Sequence, residues 1–239
     1  MKKVFAFLAV AALCVCACDP KEEGGLNGGD SNYKAPITID GTFDDWATLG
    51  DKALTFNCAE GEHPKPDMKT LKIYADKYYV YVYVKMDYTA YEGEVDMVHI
   101  DMVIDGDASE ATGGYNNGLW KAGKPAFDLL IEGSIIEGGE VCEAYEPFVG
   151  SFSGELNADT WTWEELAVSD FVTGKGTKTE WEFRIIRELY PVGKLKKEFK
   201  MGVFTSVNGW NATGALPNTA VTEENPTGIV DVPVIPRNE

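Results

Sequence analysis

Hydrophobic and polar positions alternate with a period of two through much of the chain, and that is the side-chain spacing of a β-strand. The clearest case is Tyr79–Met86, YVYVYVKM. Val80, Val82, Val84 and Met86 fall on one face and Tyr79, Tyr81, Tyr83 and Lys85 on the other. Leu71–Ala75 precedes it across the short turn Asp76-Lys77, so the two predict a hairpin. Met97–Asp105 alternates as well, with Val98, Ile100, Met102 and Ile104 pointing one way and Met97, His99, Asp101 and Val103 the other. Further strands are predicted at Phe127–Ile136, Val141–Val149, Ala167–Val172, Glu180–Ile186 and Lys200–Val207. A last one at Ile229–Ile235 belongs near an edge, because Pro233 cannot donate to a ladder. Arg187–Tyr190 has the composition of one helical turn before Pro191. Ahead of all these, Ile37–Leu49, ITIDGTFDDWATL, reads as a short apolar strand, an Asp-Gly turn, an acidic pair and a tryptophan. Many alternating strands separated by Gly, Asn and Asp turns predict an all-β fold, an antiparallel sandwich of jelly-roll type. No second linker and no repeat interrupts the pattern, which predicts a single domain.

The N-terminal region is patterned differently. Lys2 and Lys3 are followed by an unbroken apolar run from Val4 to Ala17. That run is short of the roughly 20 residues a spanning helix needs, so it reads as a signal peptide. It ends in Val15-Cys16-Ala17-Cys18. This resembles the bacterial lipobox, in which a small residue precedes the cysteine that is lipidated. Ala17 before Cys18 fits that pattern, whereas Leu13 before Cys14 and Val15 before Cys16 are too bulky. Cleavage near Ala17 without lipidation is the alternative. Asp19-Pro20-Lys21-Glu22-Glu23 resembles the lysine-then-acidic export signal of surface lipoproteins in Bacteroidetes-type bacteria. Gly24–Asn32, GGLNGGDSN, is a flexible linker by composition. The expected organisation is a lipoprotein signal peptide at 1–17, lipidated Cys18 with a tether at 18–34, and the sandwich at 35–239. The expected address is the outer membrane, lipid-anchored and facing the cell exterior.

Charge narrows the choice of partners. Lys and Arg number 21 against 39 Asp and Glu, a net −18. A chain so acidic lacks the basic face that nucleic acid requires. It is equally unsuited to binding an anionic bilayer by charge, which leaves a lipid as the membrane contact. Such acidity keeps an exported protein soluble, and acidic loops can also hold a cation.

Four motifs in order carry a family resemblance: IDGTFDDW, KIYADKYYVYVYVKMD, VIDGDASEATGGY and TEWEFRIIRELY. Together they resemble the family-9 carbohydrate-binding module and its DOMON-related relatives, over about Ile37 to Trp210. The segment Gly209–Pro217, GWNATGALP, is similar to an ending in that superfamily. The resemblance implies a β-sandwich displayed on a secreted, glycan-degrading system. Relatives of this kind bind sugars, other small molecules, haem or nothing known, so fold is implied more firmly than ligand. In the family, two tryptophans clamp a terminal sugar.

Candidate site residues follow from side-chain chemistry. Gly113–Trp120, GGYNNGLW, puts Tyr115 and Trp120 beside Asn116 and Asn117. Aromatic planes suit the C–H faces of a sugar, and amides both donate to and accept from its hydroxyls. Ser206–Asn211 repeats that chemistry with Asn208 and Trp210. Trp120 and Trp210 are the pair that the resemblance would cast as the clamp. The alternative is that these aromatics fold back on the core. Asp105-Gly106-Asp107, with Ser109 and Glu110 behind, has carboxylates close enough for calcium, although the spacing is not that of an EF-hand. A solvated acidic loop is the alternative. Asp40, Asp44, Asp45 and Trp46 read as a turn, a cap and a plug for one end of the sandwich; the alternative is that the three carboxylates are ligands of a structural calcium. Trp181 alternates with Phe183 and Ile185 and is assigned to the core, while Trp161 and Trp163 would share one strand face. Cys58 and Cys142 remain once Cys18 is taken, able to pair or to stay as thiols.

Signals for catalysis are few. The two histidines are His63 in EGEHPKP and His99 within a strand, and neither sits in a nucleophile, zinc or phosphate-loop motif. A glycosidase needs only two suitably separated carboxylates, and no pair stands out in the sequence. The expected function is therefore non-catalytic glycan binding by a surface lipoprotein. The alternatives are an accessory subunit of a surface protein complex and a glycosidase. Haem binding through His99 and a methionine is a further option.

Overall fold

The computed structural model describes residues 32–59, 67–109, 112–113, 127–152, 164–165, 171–187, 195–226, 228, 230–232 and 234–238. The chain divides into Met1–Tyr33 and Lys34–Glu239, and every element described here belongs to the second unit.

That unit is an all-β sandwich of two antiparallel sheets. The smaller sheet has the order β1-β2-β3-β10-β9, built from Leu54–Asn57, Met68–Ala75, Tyr79–Met86, Glu180–Ile186 and Val172–Gly176. The larger runs β12-β11-β4-β5-β7-β8, from Ala212–Leu216, Glu198–Val207, Val98–Asp105, Leu129–Glu137, Phe148–Ser151 and Glu164–Glu165. Two short strands flank this path. β6 (Glu140–Val141) pairs with β5, and β13 (Val234–Pro236) shares the outer side of β11 with β12. Among the described residues no helix is long and apolar enough to cross a membrane.

The β2–β3 hairpin forms as expected. The Asp76 carboxylate accepts from the backbone N–H of Tyr78 and Tyr79 at 2.7 and 2.8 Å, which fixes the turn. The strands differ from expectation in several places. β5 begins at Leu129 rather than Phe127, which makes an isolated bridge and is buried in a core on the outer face of the large sheet. The stretch 141–149 is not one strand but β6 and β7, with Tyr145 turned into the interior between them. Ile37–Ile39 is irregular rather than extended in a sheet. The chain there makes a turn and then the single helical turn α1, Trp46–Leu49. Strands β1, β9 and β12 carry too little apolar signal to have been expected. The predicted strand residues 167–170 and the helical turn 188–190 lie outside the described residues, whereas Phe171 is buried just before β9.

Alternation decides what faces the interior. Val80, Val82 and Val84 of β3 lie opposite Ile185, Phe183 and Trp181 of β10, and all six are buried. They meet Ile100, Met102 and Ile104 of β4 and the partners of those residues, Val203 and Met201 of β11 and Ile131 and Leu129 of β5. Trp181 is fully buried, stacked on Phe183 at 5.8 Å. The opposite face of the large sheet holds a second apolar cluster, Val103, Phe127, Leu130, Phe152, Phe204, Ala215 and Val232. Tyr79, Tyr81 and Tyr83 lie on the outer face of the small sheet yet are also buried. Phe43 and Trp46 lie over Tyr83, with ring centroids 5.6 and 5.7 Å away.

Candidate functional site

The segment 37–49 acts as a latch, and the group that holds it is Glu182. This side chain points from β10 to the outer face of the small sheet and is completely buried. Its Oε1 accepts from the backbone N–H of Asp40 and of Gly41, both at 2.9 Å, and its Oε2 accepts from Trp46 Nε1 at 3.1 Å. Asp40 itself accepts from the backbone and hydroxyl of Thr42, both at 2.7 Å, and Asp45 accepts from Thr38 N at 2.7 Å. The acidic residues of IDGTFDDW are thus occupied locally, and Trp46 is the buried plug.

The second feature is Trp210, at the bend between β11 and β12. It is 69% exposed, the most exposed large apolar side chain among the described residues. Asn208 fixes the bend with φ +53°, a left-handed conformation that asparagine tolerates. Asn208 Oδ1 accepts from Asp96 N at 2.8 Å and Met97 N at 3.1 Å, and its Nδ2 donates to Glu94 O at 2.9 Å. The Asn208 amide therefore ties the tryptophan loop to the chain entering β4, which positions Trp210.

Beneath the indole lies His99, with ring centroids 4.4 Å apart and planes tilted by 30°. Burial pulls the His99 pKa below its ordinary value, against the opposing charge of Glu137, so the ring stacked on Trp210 is the neutral imidazole at neutral pH. His99 begins a polar row across the outer face of the large sheet. It lies opposite Ser206 of β11 and Ser134 of β5, whose Oγ is 3.5 Å from His99 Nδ1. Two residues along β4, Asp101 lies opposite Glu132. Burial first and the Glu132 carboxyl second push Asp101 well above the usual carboxylate range, and burial also raises Glu132. His99 Nε2, Asp101 Oδ1 and Ser206 Oγ are buried without a hydrogen-bond partner. His99, Asp101 and Ser206 lie beneath the surface, and only Ser134 and Glu132 on the β5 side of the row are partly exposed.

The third feature is acidic. Asp105 at the end of β4 and Asp107 beyond it come together with Asp128, which precedes β5. Burial first and the Asp128 charge second push Asp105 up to about 7, while Lys200 on β11 pulls it down.

Tyr115, Asn116, Asn117 and Trp120 lie outside the described residues, as do Cys18, His63, Trp161 and Trp163. The pairing of Trp120 with Trp210 is therefore not described. Cys58 and Cys142 are free, partly buried thiols. Sequence reading missed Glu182 and Asp128 altogether and found no role for His99 beside Trp210. Only the tertiary fold brings these residues to their partners, 136 positions apart in the case of Trp46 and Glu182. No protein-family model matches the chain, and no curated protein matches it in sequence.

Proposed function

We propose that the protein is a surface-displayed lipoprotein whose sandwich binds glycan without catalysis, with Trp210 as the platform for one face of a sugar ring. The observation that carries this reading is an indole that is 69% exposed and backed by His99. Solvating so much apolar surface is unfavourable, and a sugar C–H face would cover it while its hydroxyls reached polar neighbours. The loop that carries Trp210 supports the same reading, because Asn208 holds it against the chain entering β4. So does the acidic surface, which favours neutral or amine-bearing sugars over uronic acids through simple charge repulsion.

Affinity electrophoresis through a panel of polysaccharides, with a glycan array, tests this reading. Trp210→Ala is expected to weaken retention on the preferred glycan by about tenfold or more, as loss of an aromatic anchor does. Its melting temperature should stay near that of the parent, because the side chain is largely outside the core. Retention unchanged by this substitution on every glycan that binds would sink the proposal. An exposed tryptophan is also the favoured anchor of a protein interface. Blank glycan arrays together with a surface partner lost in Trp210→Ala would favour that second reading, an accessory subunit of a surface complex.

The anchor is a separate prediction. Cys18→Ala is expected to move the protein from the membrane fraction to the soluble fraction and to abolish incorporation of labelled fatty acid. Protease treatment of intact cells should remove the parent protein. Survival of that treatment, with the membrane permeable controls digested, would count against outward display.

A further inference from the structure

The end of β4 and the approach to β5 lie side by side, and three carboxyls meet there. Asp105 closes β4, Asp107 follows Gly106, and Asp128 stands just before Leu129; one oxygen from each lies within 4.8 Å of the others. Backbone contacts hold that spacing. Asp128 N–H donates to Ile104 O at 2.8 Å, and Gly106 N–H donates to Asp128 Oδ2 at 2.9 Å. Asp107 accepts from Ser109 N at 2.9 Å and from Thr112 Oγ1 at 3.0 Å, which orients its carboxylate and leaves lone pairs over.

Asp105 is the informative member. It is 0% exposed. Its Oδ1 has one long bond, from Ser109 N at 3.3 Å, and its Oδ2 accepts none. A fully buried carboxylate oxygen without a donor is costly to fold around, unless something positive meets it. Lys200 lies opposite Asp105 on β11 and offsets part of its charge.

We propose that Asp105, Asp107 and Asp128 bind one calcium ion. Calcium accepts hard anionic oxygens at 2.3–2.6 Å, so two ligands across one ion stand at most about 4.6–5.2 Å apart. Magnesium, at 2.0–2.1 Å, needs ligands within about 4.2 Å of each other and a near-ideal octahedron. A spread of up to 4.8 Å lies within the calcium limit. The remaining positions of its shell fall to water, and an all-oxygen set disfavours the softer transition metals. The ion would clip the end of β4 to the head of β5. The proposal is independent of the glycan reading, since none of its residues touches Trp210 or His99 in the contacts described.

The test uses the purified full chain, stripped with a chelator and titrated with calcium chloride by calorimetry and by thermal melting. Binding of one equivalent is expected, with a rise in melting temperature of about 4 °C or more at saturation. Magnesium chloride at equal concentration should bind at least about tenfold more weakly. Asp107→Asn, at a half-buried position, should lower calcium affinity about tenfold or more while leaving the calcium-free melt nearly unchanged. Asp105→Asn should abolish the calcium response and raise the calcium-free melting temperature, because the neutral amide can donate to the neighbouring carboxylates. Glu223→Gln, at an exposed position away from the trio, should change nothing. No heat and no melt shift at millimolar calcium would overturn the proposal. So would a calcium response that survives both Asp105→Asn and Asp107→Asn, which would place the ion on the general acidic surface.

Discussion

Glu182→Ala is expected to destabilise the sandwich by about 3–5 kcal/mol, since breaking a buried charged group's network strands its partners. Three donors converge on this one carboxylate, two backbone N–H groups and an indole N–H. Truncation leaves all three without an acceptor in a place where the side chain was 0% exposed. The latch then loses its only described bonds to β10, and the cover that Trp46 and Phe43 give Tyr83 loosens with it. Glu182→Gln separates shape from hydrogen bonding. It keeps one oxygen for Asp40 and Gly41 but turns an amide N–H₂ toward the indole N–H, so an intermediate loss of about 1–3 kcal/mol is expected. Trp46→Phe keeps most of the ring and drops one bond, for about 1–2 kcal/mol. Gly41 sits at φ +84°, and an added Cβ would approach Lys175 Cγ at 3.2 Å. Gly41→Ala should therefore damage the same latch through strain. Urea unfolding of the four variants checks the order. A Glu182→Ala variant within 1 kcal/mol of the parent would show that the latch contributes little to the folded state.

The parts of this fold legible in the sequence are those where neighbours along the chain determine the outcome. Alternation in β3, β4 and β10 reports the two faces of a strand, and the Asp76 turn needs nothing beyond its own three residues. Trp181 was assigned to the core on that alternation alone, and the structure buries it completely. Legibility fails where the partner is remote. Ile37–Ile39 looks like a strand by its apolar spacing, but it leads into a turn whose Asp40 and Gly41 are held by Glu182, well over a hundred residues away. The tyrosine face of β3 looks solvent-facing until the latch is known to cross it. β9, VTGKG, and β12, ATGAL, are weak strand sequences because their glycines serve neighbours. A Cβ at Gly214 would run into Asp67 Oδ1 and lie 2.8 Å from Thr205 Oγ1. The same distinction holds at the candidate site. Trp210 was identifiable as a loop aromatic, and it is exposed. Asn208 has the same side chain whether it serves a ligand or a backbone, and only the fold shows that it serves the backbone. Asp128 joins Asp105 and Asp107 only because β5 lies beside β4, an adjacency that the sequence does not contain.

Tyr145 crosses the interior from one sheet to the other, and its removal is expected to cost about 3–5 kcal/mol, the range for truncating a buried aromatic. The ring is 4% exposed and stands edge-on to Phe183 at 4.8 Å. Its hydroxyl donates to Ile100 O at 2.7 Å, on β4 of the far sheet. Tyr145→Phe should lose about 1 kcal/mol, the net value of that bond. Two glycines make room for the ring, one in each sheet. On Gly174 an added Cβ would lie 2.6 Å from Phe183 Cδ1 and 2.8 Å from Tyr145 Cβ. On Gly133 it would lie 2.8 Å from Tyr145 Cε2 and 3.0 Å from Pro147 Cα. Real Cβ atoms do not tolerate such approaches, so Gly133→Ala and Gly174→Ala should each destabilise by about 1–3 kcal/mol through overpacking. If the glycines exist for Tyr145, the effects cannot be additive. Gly133→Ala in a Tyr145→Ala background meets a cavity instead of a ring, and its cost should shrink, giving a coupling of about 0.5–3 kcal/mol. Gly174→Ala should couple less strongly, because Phe183 still blocks its Cβ after the tyrosine is gone. Simple additivity for Gly133 would mean that Pro147 and the backbone, not the tyrosine, set the glycine requirement. The break between β6 and β7 would then need a cause other than the insertion of this side chain.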